Sequence, residues 1–361
     1  MTHDTEAEPM VRIGLVGYGR GGRFFHAPYL QAAEGVALAG IVTRDVERRR
    51  QAETDHPGVP IYGSLAQMVQ GERAGAGIDA VTITTPPATR RELVLEALRL
   101  GVDVDADKPF APTAADALAL GAAANAAGRI LSVFHNRRWD PDVRTVREVL
   151  DRGSVGRPVQ YFSRFDLDEP EGLEGGPGGG VLRDLGTHLV DQAMWLFGPV
   201  ASVYCRLERA DTAQGSTDAA FLLTLVHAGG VVSQLSASKT HHLVRREMVL
   251  LGSQGSFVVG GPDVQTAAVL RGERPVGRRA EWGIAGPADW GTLSTGVGRV
   301  RVPSAQGDYC AYYEAFAAAI RTRGVPPVGA AEGAAVLAVL DAARSSAASG
   351  DVVHLLALNM S

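Results

Sequence analysis

Asp184 and His188 stand four residues apart in the run Gly180-Val181-Leu182-Arg183-Asp184-Leu185-Gly186-Thr187-His188-Leu189-Val190-Asp191. The run reads as the start of a helix that continues through Met194-Trp195-Leu196-Phe197. Residues four apart share one helical face, one turn from each other. A carboxylate beside an imidazole on an apolar helix is a proton-handling group with an anionic neighbour. In isolation such a pair is more often a solvated helix face. A second group with suitable chemistry lies upstream, in Asp105-Ala106-Asp107-Lys108-Pro109. Lys108 follows a short strand and precedes a proline, which keeps its backbone extended. A lysine fixed at a strand end can donate a hydrogen bond to a substrate oxygen and support proton transfer from it.

These groups act together only if the fold brings them into one crevice, and the first third of the chain predicts such a fold. Val11–Val16 reads as a buried strand. It runs into Gly17-Tyr18-Gly19-Arg20-Gly21-Gly22 and then a helical stretch to Ala33. Gly17, Gly19 and Gly22 match the dinucleotide fingerprint: a tight turn, a close backbone approach to the pyrophosphate, and close helix–strand packing. The helix N-terminus then offers backbone N–H groups to phosphate. Further strands are predicted at Val36–Val42, Ala80–Thr84, Val102–Ala106 and Ile130–Phe134, with helices at about 91–100 and 113–127. Alternating strands and helices give βαβ units, a doubly wound parallel sheet, and a ligand crevice at the strands' carboxyl ends. Thr85-Pro86 and Lys108-Pro109 fall at such ends. The second strand ends in Thr43-Arg44-Asp45 rather than in a carboxylate. Arg44 suits a 2′-phosphate, which favours NADP; NAD stays open if Asp45 takes the ribose hydroxyl.

From Asn136 the pattern changes. A helix is predicted over about 141–152 and a strand over Val159–Phe165. After the Asp184 helix come alternating runs at Ala201–Leu207, Ala219–Val226, Val231–Ser238, Glu247–Leu251 and Ser256–Val259. Strands in succession predict a second, α+β domain with a large open, mainly antiparallel sheet. The expected division is a Rossmann domain over residues 10–135 and a substrate-binding and oligomerisation domain over 136–361. Tyr309, Tyr312 and Tyr313 begin a late helix, where core packing and a cleft position are both open.

Composition narrows the function classes. A net charge of −5 over 361 residues gives no field favouring nucleic acid or an anionic membrane. No run approaches the ~18 apolar residues of a membrane span. Residues 1–9 are polar and lack a signal core, and the two cysteines, Cys205 and Cys310, have no metal-ligand spacing. A reduced, cytoplasmic protein is expected. His241-His242 reads as a surface loop, and no metal site is expected.

Gly17-Tyr18-Gly19, Thr85-Pro86, Asp107-Lys108-Pro109 and Asp184…His188 together resemble the Gfo/Idh/MocA oxidoreductases, from Val11 to about Leu355. The longer strings Gly22-Arg23-Phe24-Phe25-His26-Ala27-Pro28, His135-Asn136-Arg137-Arg138-Trp139-Asp140 and Asp184–Gln192 are similar to a branch that contains NADP-dependent scyllo-inositol dehydrogenases. The resemblance implies hydride transfer between a nicotinamide and the carbinol or ketone carbon of a cyclitol, sugar or sugar derivative. It implies that His188 accepts the hydroxyl proton, that Lys108 hydrogen-bonds the same oxygen, and that Asp184 orients the substrate through an adjacent hydroxyl. Asn136, Arg137 and Tyr312 are expected at the cleft. Subunit contacts through the open sheet, giving a homodimer or homotetramer, are also implied. Some proteins of this fold instead recycle a tightly held NAD(P) or act as regulators.

Three departures stand out. Asp107 replaces the family's usual Glu, and Arg90 stands where many relatives have His. The short segment before the Asp184 helix carries Asp166, Asp168, Glu169, Glu171 and Glu174 before a run of glycines. An acidic cleft border there suits a cationic substrate, such as an amino sugar or aminocyclitol.

Overall fold

The structure, a computed structural model, describes residues 9–73, 75, 77–176 and 179–355. Residues 1–8, most of the polar leader, and the Pro177-Gly178 step of the glycine-rich stretch lie outside the described residues.

Strands β1 (Val11–Val16), β2 (Val36–Val42), β3 (Ile61–Tyr62), β4 (Ala80–Ile83), β5 (Asp103–Asp107) and β6 (Leu131–Phe134) form one sheet in the order β3-β2-β1-β4-β5-β6. All five pairings are parallel. Strands covered on both faces are apolar on both, and Ile13, Leu15, Val16, Val81 and Ile83 are all buried. Helices α1 (Ala27–Ala32), α2 (Val46–Asp55), α3 (Leu65–Arg73), α4 (Pro87–Leu100) and α5 (Ala114–Ala126) connect them. The chain leaves β1 outward through β2 and β3, then returns on the other side at β4. The crevice of such a sheet opens where the winding reverses, beyond the carboxyl ends of β1 and β4.

Strand β5 departs from a purely apolar run. Asp103 accepts from the Ile130 amide at 2.8 Å and Arg323 Nη1 at 2.7 Å. Asp105 accepts from Tyr312 Oη at 2.5 Å and Thr82 Oγ1 at 3.2 Å. Each buried carboxylate thus has partners, as burial requires.

The second sheet contains β7 (Pro158–Asp166), β8 (Val200–Thr212), β9 (Gly215–His227), β10 (Val232–Ser238), β11 (Arg245–Gly252), β12 (Gly255–Gly260), β13 (Gly291–Thr295), β14 (Gly298–Val302) and β15 (Val353–His354). Their order is β14-β13-β12-β11-β7-β10-β9-β8-β15. Among the described strands of this sheet, only β7 and β10 pair in parallel. One face carries buried Tyr161, Leu223, Leu235, Leu250 and Phe257 beneath helices α6 (Pro141–Asp151) and α7 (Thr187–Phe197). The other face leaves apolar side chains in solvent, among them Leu222 at 52% and Val258 at 39% exposure. After β12 a short helix, α8 (Val264–Leu270), leads toward the β13–β14 hairpin.

Two C-terminal helices, α9 (Cys310–Thr322) and α10 (Ala330–Ser349), return to the first sheet. The Val133 amide donates to the Val328 carbonyl at 3.0 Å, and the Ala114 amide to Asp341 at 3.0 Å. The first half is therefore completed by residues some 200 positions downstream in sequence, such as Tyr312 on Asp105.

Candidate active site

A cleft of about 1400 Å³ opens beyond the carboxyl ends of β1 and β5 and runs between the two sheets. Two chain segments meet across it. Asp107, Lys108 and Pro109 arrive at the end of β5. Asp184 and His188 arrive on α7 and the wide helical turn Leu182–Gly186 that precedes it. Lys108 Nζ lies 2.8 Å from Asp184 Oδ1 and also donates to the Asp184 carbonyl at 3.1 Å. A second lysine, Lys239, at the end of β10, places Nζ 2.9 Å from Asp184 Oδ2. One carboxylate is thus held between two ammonium groups.

The electrostatics follow from this packing. Burial pushes the Asp184 carboxyl up, but Lys108 and Lys239 outweigh it and hold it well below the usual carboxylate range. Its side chain is still 44% exposed, because it opens on the cleft while protein surrounds its other sides. His188 is pushed strongly down, first by burial and then by the charges of Lys108 and Arg137. Its ring is therefore neutral at pH 7. Nδ1 is buried without a partner among the described residues, which leaves Nε2 as the nitrogen facing the cleft. A neutral imidazole beside a fixed ammonium is equipped to take a proton from an oxygen that the ammonium binds.

Lys108 is positioned by its neighbours. Arg90 donates from Nε to the Thr85 carbonyl at 2.7 Å and from Nη1 to the carbonyls of Asp107 at 3.0 Å and Pro109 at 2.8 Å. Its Nη2 reaches the Asp107 carboxylate at 3.1 Å. One guanidinium therefore ties the Thr85-Pro86 turn to both sides of Lys108. Burial pushes the Asp107 carboxyl up, yet Arg90 and His26 bring it down to about 2. His26 is held in turn by Tyr313 Oη at 2.6 Å from Nδ1.

The glycine loop fits a dinucleotide. Gly17 has φ +104°, a conformation side chains disfavour. A Cβ on Gly22 would lie 2.2 Å from the Gly17 carbonyl oxygen, so only glycine allows this helix to approach. A Cβ on Gly19 would meet nothing nearer than the Arg48 guanidinium at 3.7 Å, which leaves the backbone open to a ligand phosphate. Arg20 and Gly21 line the cleft itself.

Residues 11–135 match the family described as "Oxidoreductase family, NAD-binding Rossmann fold", and residues 143–258 match the "GFO/IDH/MocA C-terminal domain". The chain belongs to the Gfo/Idh/MocA oxidoreductase family. It is 33% identical over 349 residues to the uncharacterized oxidoreductase YdgJ of Escherichia coli, covering 93% of this chain and 96% of that protein. It is 29% identical over 352 residues to the scyllo-inositol 2-dehydrogenase (NADP(+)) IolW of Bacillus subtilis, covering 93% of each. A crystal structure of an oxidoreductase from Bacillus cereus superimposes with a TM-score of 0.85 at 25% identity, covering 97% of this chain and all of that one. This Gfo/Idh/MocA protein is an NAD(P)-dependent oxidoreductase acting on a CH–OH group.

The structure gathers Arg20, Gly21, Lys108, Pro109, Asn136, Arg137, Asp184 and His188 on the cleft wall. Asn136 makes no side-chain hydrogen bond to protein among the described residues, while Arg137 is committed to Asp263 at 2.7 Å and Asp140 at 3.2 Å. Thr85 and Pro86 sit just behind the wall formed by Pro87 and Arg90. Thr43 and Arg44 lie at the tip of β2; Arg44 is exposed, with Nε 3.3 Å from the Gly63 carbonyl.

One expectation is narrowed and one needs correction. The Tyr18 side chain is buried and its hydroxyl bonds Asp55 and His56, each at 2.8 Å. Only its backbone belongs to the loop. Tyr312 is fully buried, with its hydroxyl bonded to Asp105 and, at 2.8 Å, to Ser132 Oγ. It satisfies a buried acid and lies away from the cleft wall. Arg138, beside Arg137, is likewise structural, paired with Asp191 at 2.7 Å. Lys239 escaped the sequence reading. Its one signal was a charged residue directly after the strand Val231–Ser238.

Proposed function

We propose that this enzyme oxidises a secondary alcohol of a cyclitol, sugar or sugar derivative with NADP⁺, or reduces the matching ketone with NADPH. The observation that carries this is the meeting of Lys108, Asp184 and His188 in a cleft that also opens on the glycine loop. When bound, the cofactor supplies the hydride acceptor or donor. Gly17, Gly19, Gly22 and Arg20 hold its pyrophosphate, and Arg44 with Arg48 meets the 2′-phosphate.

Lys108 binds the carbinol oxygen through its ammonium and orients it toward the ring of His188. His188 Nε2 takes the hydroxyl proton as the C–H bond breaks. Asp184, ionised between two lysines, keeps the Lys108 ammonium in place and accepts a hydrogen bond from a neighbouring hydroxyl. The acidic strap Asp166–Glu174 borders the opening. Asp166 pairs with Arg164, while Glu169, Glu171 and Glu174 line the cleft and form no salt bridge within 4 Å among the described residues. That border favours a substrate carrying an amino group. The apolar outer face of the second sheet supports self-association, which Leu222→Glu should disrupt in sedimentation.

The test is a screen at the reduced-nicotinamide absorbance band. NADP⁺ and NAD⁺ are each supplied with inositols, aldoses and amino sugars. NADP⁺-dependent turnover of one polyol class is expected. No turnover of any member, with cofactor binding demonstrated separately, overturns the reading.

A further inference from the structure

Lys239 enters the site from the second sheet, and its surroundings fix it there. Strand β10 pairs in parallel with β7, so Ser238 stands opposite Asp166 and Lys239 follows just beyond that pair. The chain after β7 is then zipped to the end of β10. The Leu167 amide donates to the Ser238 carbonyl at 2.8 Å, and the Glu169 amide to the Lys239 carbonyl at 3.1 Å. Lys239 Nζ donates to the Gly172 carbonyl at 3.0 Å and to Asp184 Oδ2 at 2.9 Å. Its side chain is buried apart from the part that faces the cleft.

An ammonium has three donors and no acceptor. Lys239 uses two of them on protein, and the third has no partner among the described residues. Lys108 is in the same position: it donates to the carbonyl and to Oδ1 of Asp184 and keeps one N–H. The two ammoniums grip the two oxygens of one carboxylate, so their spare donors are near neighbours on the same wall. The Lys108–Asp184–Lys239 group carries one net positive charge, and His188 beside it is neutral. Such a pair of donors suits two electron-rich oxygens on adjacent carbons.

We propose that Lys239 is a substrate-binding residue that donates a hydrogen bond to the oxygen on the carbon next to the reacting carbinol. This rests on the polyol reading above and adds a specificity rule to it. The substrate carries its reacting hydroxyl beside a second hydroxyl, as in a vicinal diol. Lys108 takes the reacting oxygen and Lys239 the adjacent one. The Gly172 bond links that recognition to the acidic strap at the cleft border.

The test compares wild-type enzyme, K239M, K239Q and K239R on two substrates with the same cofactor. One is the polyol that wild type oxidises fastest. The other is its deoxy analogue, lacking the hydroxyl beside the reacting carbon. K239M and K239Q should lower kcat/KM for the parent by about 10- to 100-fold, the loss of one hydrogen bond to a charged group, mostly through KM. The same variants should change the deoxy analogue by less than about threefold. K239R, which keeps charge and donors, should recover part of the loss. Cofactor affinity, measured in parallel, should stay near wild type, which with the retained rate on the deoxy analogue separates a lost contact from a misfolded variant. A proportional fall on both substrates would mean that Lys239 only holds Asp184 and the strap, and would overturn the proposal. So would unchanged kinetics in K239M and K239Q. If wild type itself oxidises no polyol, the polyol reading falls and takes this assignment with it. If wild type turns over and only the deoxy comparison fails, the Lys239 assignment falls alone.

Discussion

Replacing Arg44 by Ala should separate the two nicotinamide cofactors. Asp45 caps α2: its Oδ1 accepts from the Arg48 amide at 2.9 Å. That bond engages one oxygen of the carboxylate and ties it to the start of the helix. Arg44, by contrast, is exposed and, among the described residues, tethered only to the Gly63 carbonyl at 3.3 Å. The Arg48 guanidinium lies beside the Gly19 backbone. A 2′-phosphate at the tip of β2 would therefore meet the positive charges of Arg44 and Arg48. A hydrogen bond to a charged group is worth about 1.5–3 kcal/mol, and exposure places this one at the lower end. At about 1.4 kcal/mol per decade, Arg44→Ala should weaken NADPH roughly 10-fold. NADH, which lacks the phosphate, should lose less than about twofold. Fluorescence titration of both cofactors at two salt concentrations reads this directly, and the NADPH effect should shrink as salt rises. Asp45→Ala serves as the control: losing the cap costs about 1 kcal/mol of stability and should leave the cofactor preference unchanged. Equal loss of NADH and NADPH in Arg44→Ala would refute the argument, as would loss of NADH binding in Asp45→Ala.

Two further outcomes follow from buried charge. Burial pushes His56, His135, His188 and His227 below their ordinary value. Each holds its proton less tightly in the fold than in the unfolded chain, so unfolding takes up protons as pH drops below about 6.5. Stability is therefore lost as pH falls through that value, by at most about 1.4 kcal/mol per pH unit for each histidine. Asp105, which burial pushes up to about 8, works in the opposite direction and offsets part of the loss. Tm should fall between pH 7 and pH 5.5, and a rise over that range would contradict the downward shifts. Arg90→Ala leaves the Asp107 carboxylate and three carbonyls without their donor. Breaking such a buried pair costs about 3–5 kcal/mol, so calorimetry should show a large drop in Tm. A Tm near wild type would remove Arg90 from the framework around Lys108.

Much of the first sheet was legible because buried parallel strands are short apolar runs bounded by glycine and proline. Lys108 and the Asp184–His188 pair were legible for a related reason: a strand end and one helical turn are local features. What is non-local was not. Lys239 gains its meaning only when the pairing of β10 with β7 sets it beside Asp184, far away in sequence. Tyr312 looked like a cleft aromatic, but its hydroxyl satisfies Asp105, an acid whose burial becomes visible only once the sheet and helix α9 are packed together. Helix α10 was missed because its alanine-rich sequence has little polar contrast around the helix; small residues such as Ala334, Ala342 and Ala343 let it pack closely. The β13–β14 hairpin was missed because its strands are short, glycine-led and largely exposed.

The most direct measurement is the kcat of His188→Asn on the best substrate of wild type, with NADP⁺ affinity measured on the same preparation. Loss of a positioned general base costs about 10²- to 10⁴-fold. Turnover should fall by that much while cofactor affinity stays within about twofold, because His188 lies on the second domain's helix and not in the glycine loop. Retained turnover, or a parallel collapse of cofactor binding, would contradict His188 as the proton acceptor of this oxidoreductase.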